Sequence, residues 1–335
     1  MASMKGMILA AGYGERLWPL TADRTKPALP VLGKPLVGYV AEYLAQYGIN
    51  DVIVNLHHRP ESVRESLGDG SRFGVRLQYV HEPVILGTSG ALDNARQLFD
   101  DDTFVVVNGK IITDIDLGEA LKTHRQTDAL ATLVLRKNAR RERFSVVDTQ
   151  NGLVTGFGGM PQPLSSGVRS GDSDINSPLM FTGIQILEPR IFDYIPRGAF
   201  SHSTADVYPK AIAQGERIAA HVGEGLWYEL STLQRYLDIS LALLKAQGRN
   251  VDLGRNCLVD EAAQVRNSVL WNDVSVAEGA RVQRAVIGDG VQIPARQLVE
   301  NQVVVRADLV ASRVRPAKAL PGRVEGDNFV VRLSQ

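Results

Sequence analysis

The chain has 335 residues, 44% apolar and 22% charged, which is the profile of a soluble globular protein with room for two domains. Lysine plus arginine and aspartate plus glutamate both number 37, so a net charge of zero leaves no footprint for nucleic acid or a membrane surface. Cys257 is the only cysteine and no apolar run reaches membrane-spanning length, so no intrachain disulfide is possible and a cytoplasmic, reducing location is expected.

Met7 to Ala11 is a short uncharged run, the mark of a strand buried on both faces. It passes into Gly12-Tyr13-Gly14-Glu15-Arg16, where small residues let backbone N–H groups approach an anion. Arg16 adds a cation with bidentate reach for phosphate, and Thr25-Lys26-Pro27 sets a second cation beside a rigid proline. The pattern predicts a loop that wraps a nucleotide's phosphates. A single Gly-x-Gly also suits an ordinary strand-to-helix turn, and neither the Rossmann fingerprint nor a Walker A motif is present.

Leu36, Val37, Val40, Leu44 and Tyr47 fall at helical spacing across residues 35–48, and Gly48 ends the run. Strands are expected at Asp51 to Leu56, Val75 to Val80, Thr103 to Asn108 and Ala129 to Arg136, with helices at Pro60 to Leu67, Thr88 to Phe99 and Asp116 to Gln126. This alternation predicts an α/β fold with a mainly parallel sheet, with ligands beyond the carboxyl ends of the strands after Ala11, Leu56 and Val107. His57-His58 is read as a hydrogen-bonded loop pair, because adjacent histidines rarely share a metal and no further ligand lies at the right spacing.

Pro161 to Pro178 is rich in Ser, Gly, Pro and Asp and reads as a loop; Met180 to Leu187 returns to strand character. A helix is expected from Thr232 to Gln247, capped by Ser231 or Thr232, and Gln247 to Asn250 forms the best boundary, dividing the chain into 1–248 and 249–335. Beyond it, Ser268-Val269-Leu270 with Asp273 to Val276 recurs 17 residues later as Ala285-Val286-Ile287 with Gly290 to Ile293. A weaker pass begins at Gln302. The spacing, close to three hexapeptides, predicts a left-handed parallel β-helix, with a small irregular β-domain as the alternative; the open ends of such a helix favour a homo-oligomer.

Leu9-Ala10-Ala11-Gly12-x-Gly14-x-Arg16-Leu17-x-Pro19-Leu20-Thr21, followed by Lys26-Pro27, resembles the signature of the sugar-1-phosphate nucleotidyltransferases. That resemblance implies a Rossmann-like domain over 1–248. It also implies displacement at the α-phosphorus of a nucleoside triphosphate by a sugar-1-phosphate oxygen. Since phosphate is already a competent nucleophile, the protein supplies position and charge. By the same resemblance Leu9, Ala11, Gly12 and Gly14 hold nucleotide, while Arg16 and Lys26 balance phosphate charge and are the catalytic pair. Glu82 and Leu86-Gly87-Thr88-Ser89-Gly90-Ala91 look like the base and ribose element, which places Glu82, Gly87, Thr88 and Gly90 in the nucleotide site. Asn108 and Lys110 belong to it as well, and Thr182 and Gly183 to the sugar site.

The departures from the family pattern concern the metal. The resemblance implies Mg²⁺ held by an aspartate where this chain has Lys110, and by a second in Trp-x-Asp where it has Trp227-Tyr228-Glu229. An ammonium repels a hard cation, and Glu229 carries an extra methylene. A sugar-phosphate element, Glu-Lys-Pro, is replaced by Gly159-Met160-Pro161. Three explanations stand: Lys110 supplies the charge of the missing cation, it is an introduced substitution that traps a ligand, or the protein is a relative that binds nucleotide or NDP-sugar as a regulatory module. The strings at Phe181 to Ile184, Ile195-Pro196 and Asp206 to Pro209 look most like mannose-1-phosphate guanylyltransferases, which implies GTP and mannose-1-phosphate.

Overall fold

The computed structural model describes residues 4–159 and 177–334. Met160, Pro161 and nearly all of the expected 161–178 loop fall outside them. The chain forms two compact units. The first comprises residues up to Ala11, Tyr39–His57 and Leu67–Trp227; the second comprises Gly12–Gly38, His58–Ser66 and Tyr228 onward. These units cut the chain differently from a boundary at 248, because the segment after Ala11 is grouped with the C-terminal part.

The first unit is built on a nine-stranded sheet of β1 (Lys5–Leu9), β2 (Asp51–Leu56), β3 (Arg76–His81), β4 (Phe104–Asn108), β5 (Ala131–Lys137), β6 (Val147–Gln150), β7 (Leu153–Phe157), β8 (Leu179–Leu187) and β9 (Ile218–Val222), in the order β3-β2-β1-β4-β8-β5-β9-β7-β6. β3, β2, β1 and β4 are parallel. β8 then runs antiparallel between β4 and β5. The uncharged runs foreseen as strands are the buried ones: Met7, Ile8, Val105, Val106 and Val107 have no exposed surface. β6, β7 and β9 lie outside the expected strands: Asp148, Thr149 and Gln150 of β6 are all exposed, only Val154 of β7 is buried, and β9 is a short run with two alanines. The helix expected to reach Phe99 covers Gly87–Asn94 and passes into a 3-10 turn at Arg96–Leu98. Asp116 caps helix Leu117–Thr127 by accepting from the Gly118 and Glu119 amides at 2.8 and 3.2 Å.

In the second unit the C-terminal repeat is a parallel β-helix. Val251 pairs with Ser268, Val269 with Val286 and Val286 with Val303, each 17 residues on. The other two faces repeat the interval through Leu258, Ser275 and Gln292 and through Gln264, Arg281 and Leu298. Turn residues in the left-handed region keep the same step: Asn256, Asp273 and Gly290 at φ 56°, 59° and 69°, and Asn267, Arg284 and Asn301 at 46°, 52° and 51°. Asn, Asp and Gly are the residues that enter this region most easily, so the turn chemistry carries the repeat as clearly as the apolar steps. Val274, Val291, Val282 and Ala280 fill the interior. Antiparallel Asn328–Arg332 closes the last rung against Gln302–Arg306. Thr232 caps helix Leu233–Ala246, its hydroxyl accepting from the Arg235 amide at 3.2 Å. Among the described residues no helix is long and apolar enough to cross a membrane.

Candidate active site

In the second unit the signature loop closes around Gly14. Its carbonyl accepts from the Leu17 amide at 2.9 Å and the Thr21 hydroxyl at 3.3 Å. Gly14 has φ 69°, and a Cβ there would stand 2.9 Å from the Lys26 Cβ. Only glycine lets the Lys26 segment approach this closely, so the two expected catalytic cations leave one tight loop. Arg16 is exposed and Lys26 half-buried. Gly12 differs: a Cβ there would meet nothing within 4 Å, so the protein's own packing does not require a glycine.

Arg24, which no local sequence pattern marks, anchors this segment. Its guanidinium donates to Asp23 at 2.9 Å and Asp289 at 2.6 Å and lies 5.0 Å from the Trp271 ring centroid. Burial pulls its pKa down, yet the bonds and fields of Asp23 and Asp289 outweigh burial and hold it above the ordinary arginine value. Asp289 also accepts from the Asn272 amide at 2.9 Å, one step of the β-helix turn ladder. Trp271 Nε1 donates to the Tyr236 hydroxyl at 2.9 Å, and that hydroxyl donates to the Pro30 carbonyl.

In the first unit, register brings the strand ends into one row: Leu9 lies opposite Asn55 on one side and Asn108 on the other. Asn55, also unforeseen, accepts from the Ala10 amide at 2.7 Å and donates to Glu82 Oε1 at 2.6 Å. Glu82 Oε2 accepts from the Leu86 amide at 3.1 Å, and the residue is 1% exposed. Both carboxylate oxygens therefore brace β1, β2 and the Leu86 turn. Leu9 and Ala11 are half-buried, and His57 Nδ1 lies 2.8 Å from the Glu82 carbonyl oxygen.

The helix beginning at Gly87 is held by the protein itself. The Ser201 carbonyl accepts from Ser89 and Gly90 amides at 3.1 and 3.3 Å, and the Ser201 amide returns to the Leu86 carbonyl at 3.0 Å. The Thr88 hydroxyl accepts from the Ser203 amide at 2.9 Å. A Cβ on Gly87, at φ 78°, would lie 2.3 Å from the Ser201 oxygen, and one on Gly90 2.6 Å from the Ala199 oxygen. Both glycines are thus required by close backbone packing, and the Ser89 and Gly90 amides are taken up by the Ser201 carbonyl.

β8 carries a bulge between Phe181 and Ile184, where Gly183 takes φ 86° and a Cβ would strike the Asn108 side-chain Nδ2 at 2.2 Å. Thr182 is 1% exposed, its hydroxyl donating to the Val134 carbonyl at 2.7 Å and its carbonyl accepting from Trp227 Nε1 at 2.9 Å. Gly109 donates its N–H to the Leu9 carbonyl at 2.9 Å, which fixes the backbone just before half-buried Lys110.

The family model described as "Nucleotidyl transferase" matches residues 5–246. The chain belongs to that nucleotidyl transferase family. A second model, "GlmU-like, C-terminal hexapeptide", matches residues 244–307, over the β-helix. This nucleotidyl transferase is 34% identical to a UTP--glucose-1-phosphate uridylyltransferase of Synechocystis, over 75% of this chain and 66% of that protein. It is 34% identical to an N-acetylmuramate alpha-1-phosphate uridylyltransferase of Neisseria meningitidis, over 69% of this chain and 95% of that one. A mannose-1-phosphate guanylyltransferase of Mycobacterium tuberculosis is 30% identical, over 71% of this chain and 64% of the relative. The chain thus spans about two thirds of the first and third relatives and nearly all of the second.

The residues present do not fit the Mg²⁺ that such a transferase implies. Lys110 offers an ammonium where a carboxylate is needed, and among the described residues no group of three or more His, Cys, Asp or Glu side chains is placed to hold a metal. Glu229 is 9% exposed, and its carbonyl accepts from Arg235 Nε at 2.9 Å.

Proposed function

We propose that the protein transfers a nucleotidyl group from GTP to mannose-1-phosphate, releasing pyrophosphate. The observation that carries the reading is the Gly14 turn, whose missing Cβ admits Lys26 and sets Arg16 and Lys26 on one loop. Arg16 and Lys26 neutralise charge on the leaving pyrophosphate and the α-phosphate, and Gly12 leaves room for backbone contact with the triphosphate. Asn55 and Glu82 act as positioning residues for the β1 end. Gly87, Thr88 and Gly90 hold the base and ribose segment in place, and Thr182 and Gly183 shape the sugar side through Asn108.

Lys110 takes over charge that a metal would otherwise supply. At an effective dielectric of about 20, a unit pair about 4 Å apart gains about 4 kcal/mol before desolvation, enough to help hold a phosphate without metal. A cytoplasmic location and a homo-oligomer belong to the same reading, the latter because Leu253 and Leu258 on the first β-helix rung are 50% and 71% exposed.

UTP is the second reading, favoured by the higher identity to the two uridylyltransferases. A binding module without turnover is the third, favoured by Lys110. Pyrophosphate release measured across four NTPs and several sugar-1-phosphates separates them. GTP with mannose-1-phosphate is expected to give the highest kcat/KM; a UTP maximum moves the assignment to uridylyl transfer, and nucleotide binding with no release in any pairing leaves the module.

A further inference from the structure

A cavity of about 360 Å³ opens beside the signature loop, within the second unit, lined among others by Tyr13, Glu15, Trp18, His58, Arg59 and Arg313. Its volume is that of a small-ligand cleft. Its lining takes Tyr13 and Glu15 from the signature loop but not Gly14, Arg16 or Lys26, the residues assigned to the substrate phosphates.

The wall carries two arginines from distant parts of the chain. Burial, and then the field of Arg313, hold the Arg59 guanidinium below its ordinary value, with Asp23 opposing only in part. Asp23 is already engaged, since both its oxygens accept from Arg24 at 2.9 Å. Glu15 adds one negative charge to the lining. Arg59 Nε is buried with no hydrogen-bond partner, and Arg59 itself sits at φ 46°, a conformation that costs a non-glycine residue energy. A buried guanidinium N–H left open beside a second cation calls for an acceptor that is itself an anion. The rest of the lining is mostly apolar or aromatic, with Thr21 the polar exception: the Tyr13 and His58 rings lie 5.4 Å apart at their centroids, with Trp18, Pro316 and the 94% exposed Val314 around them.

We propose that this cavity binds a phosphate monoester, its phosphoryl group between Arg59 and Arg313 and its organic body against Tyr13, His58 and Trp18. The proposal does not rest on the transferase reading. Because Tyr13 and Glu15 flank Gly14, a ligand here contacts the same loop.

Isothermal titration of the full chain with phenyl phosphate, inorganic phosphate and phenol tests it. Phenyl phosphate is expected to bind best, and Arg313→Gln, on an exposed segment, to weaken it about tenfold or more. Arg59→Gln is expected to do the same, while Arg16→Gln leaves the affinity within about twofold. Loss in Arg16→Gln with retention in both other variants would place the anion on the substrate loop and overturn the proposal. So would equal affinity for inorganic phosphate and phenyl phosphate, equal affinity for phenol, or no heat of binding at all.

Discussion

A Cβ atom on Gly14 would stand 2.9 Å from the Cβ of Lys26, in a residue whose φ of 69° already favours glycine. Gly14→Ala is therefore expected to cost about 1–2 kcal/mol in backbone strain and to push Lys26 outward. A displacement of that kind lowers turnover about 100-fold. Gly12→Ala separates steric need from ligand approach: with nothing within 4 Å of its Cβ, stability should stay within about 0.5 kcal/mol while nucleotide affinity falls. Urea denaturation and nucleotide titration of both variants check the pair. Equal stability losses would remove the distinction.

Gly87→Ala meets the Ser201 oxygen at 2.3 Å and a φ of 78°. The new methyl group breaks the bonds from the Ser89 and Gly90 amides to Ser201. A loss of about 2–4 kcal/mol is expected, seen as a lower urea midpoint with an unchanged slope. A loss under about 0.5 kcal/mol would show that the 199–203 segment does not hold the helix.

Asp289 accepts from Arg24 with one oxygen and from the Asn272 amide with the other. An asparagine can accept on one side only, so Asp289→Asn should cost about 1–3 kcal/mol. Looser anchoring of the 12–38 segment should raise KM for nucleotide more than it lowers kcat. Denaturation together with steady-state kinetics measures both, and unchanged KM would make the anchor purely structural.

His221 donates to or accepts from the Thr123 hydroxyl at 2.8 Å, and burial lowers its pKa from 6.5 against the opposing fields of Glu119 and Asp116. The unfolded chain then binds the proton more readily, so this contribution to stability is present above the unfolded pKa and is lost as pH falls through the folded one. Urea midpoints at about pH 7.5 and about pH 5.5 should differ less in His221→Gln than in the parent. An unchanged difference would assign the pH dependence to other groups.

The strands at the candidate site were legible because β1, β2 and β4 each hold an apolar run, Met7 to Leu9, Val52 to Val54 and Phe104 to Val107, and the β-helix because its step of 17 residues is written in both apolar and turn positions. Hidden were contacts made by backbone or across long separations. The Ser201 carbonyl that holds the Gly87 helix has no side-chain signature. Arg24 and Asp289 are 265 residues apart, and no local pattern joins them. Glu82 was visible as an acid near the loop, but that both its oxygens face inward follows only from where β1, β2 and the Leu86 turn meet. Asn55, a polar residue near the end of an otherwise apolar stretch of β2, is a signal that the sequence does carry.

Pyrophosphate release from GTP and mannose-1-phosphate, run in chelator and in Mg²⁺ for the parent and Lys110→Asp, tests nucleotidyl transfer with lysine in place of metal most directly. The parent is expected to turn over in chelator with little response to Mg²⁺. Lys110→Asp should lose that activity and gain a dependence on Mg²⁺. A parent that requires Mg²⁺, or a variant that behaves as the parent does, would contradict the role of Lys110; no release from either protein with any NTP and sugar-1-phosphate would contradict the transferase itself.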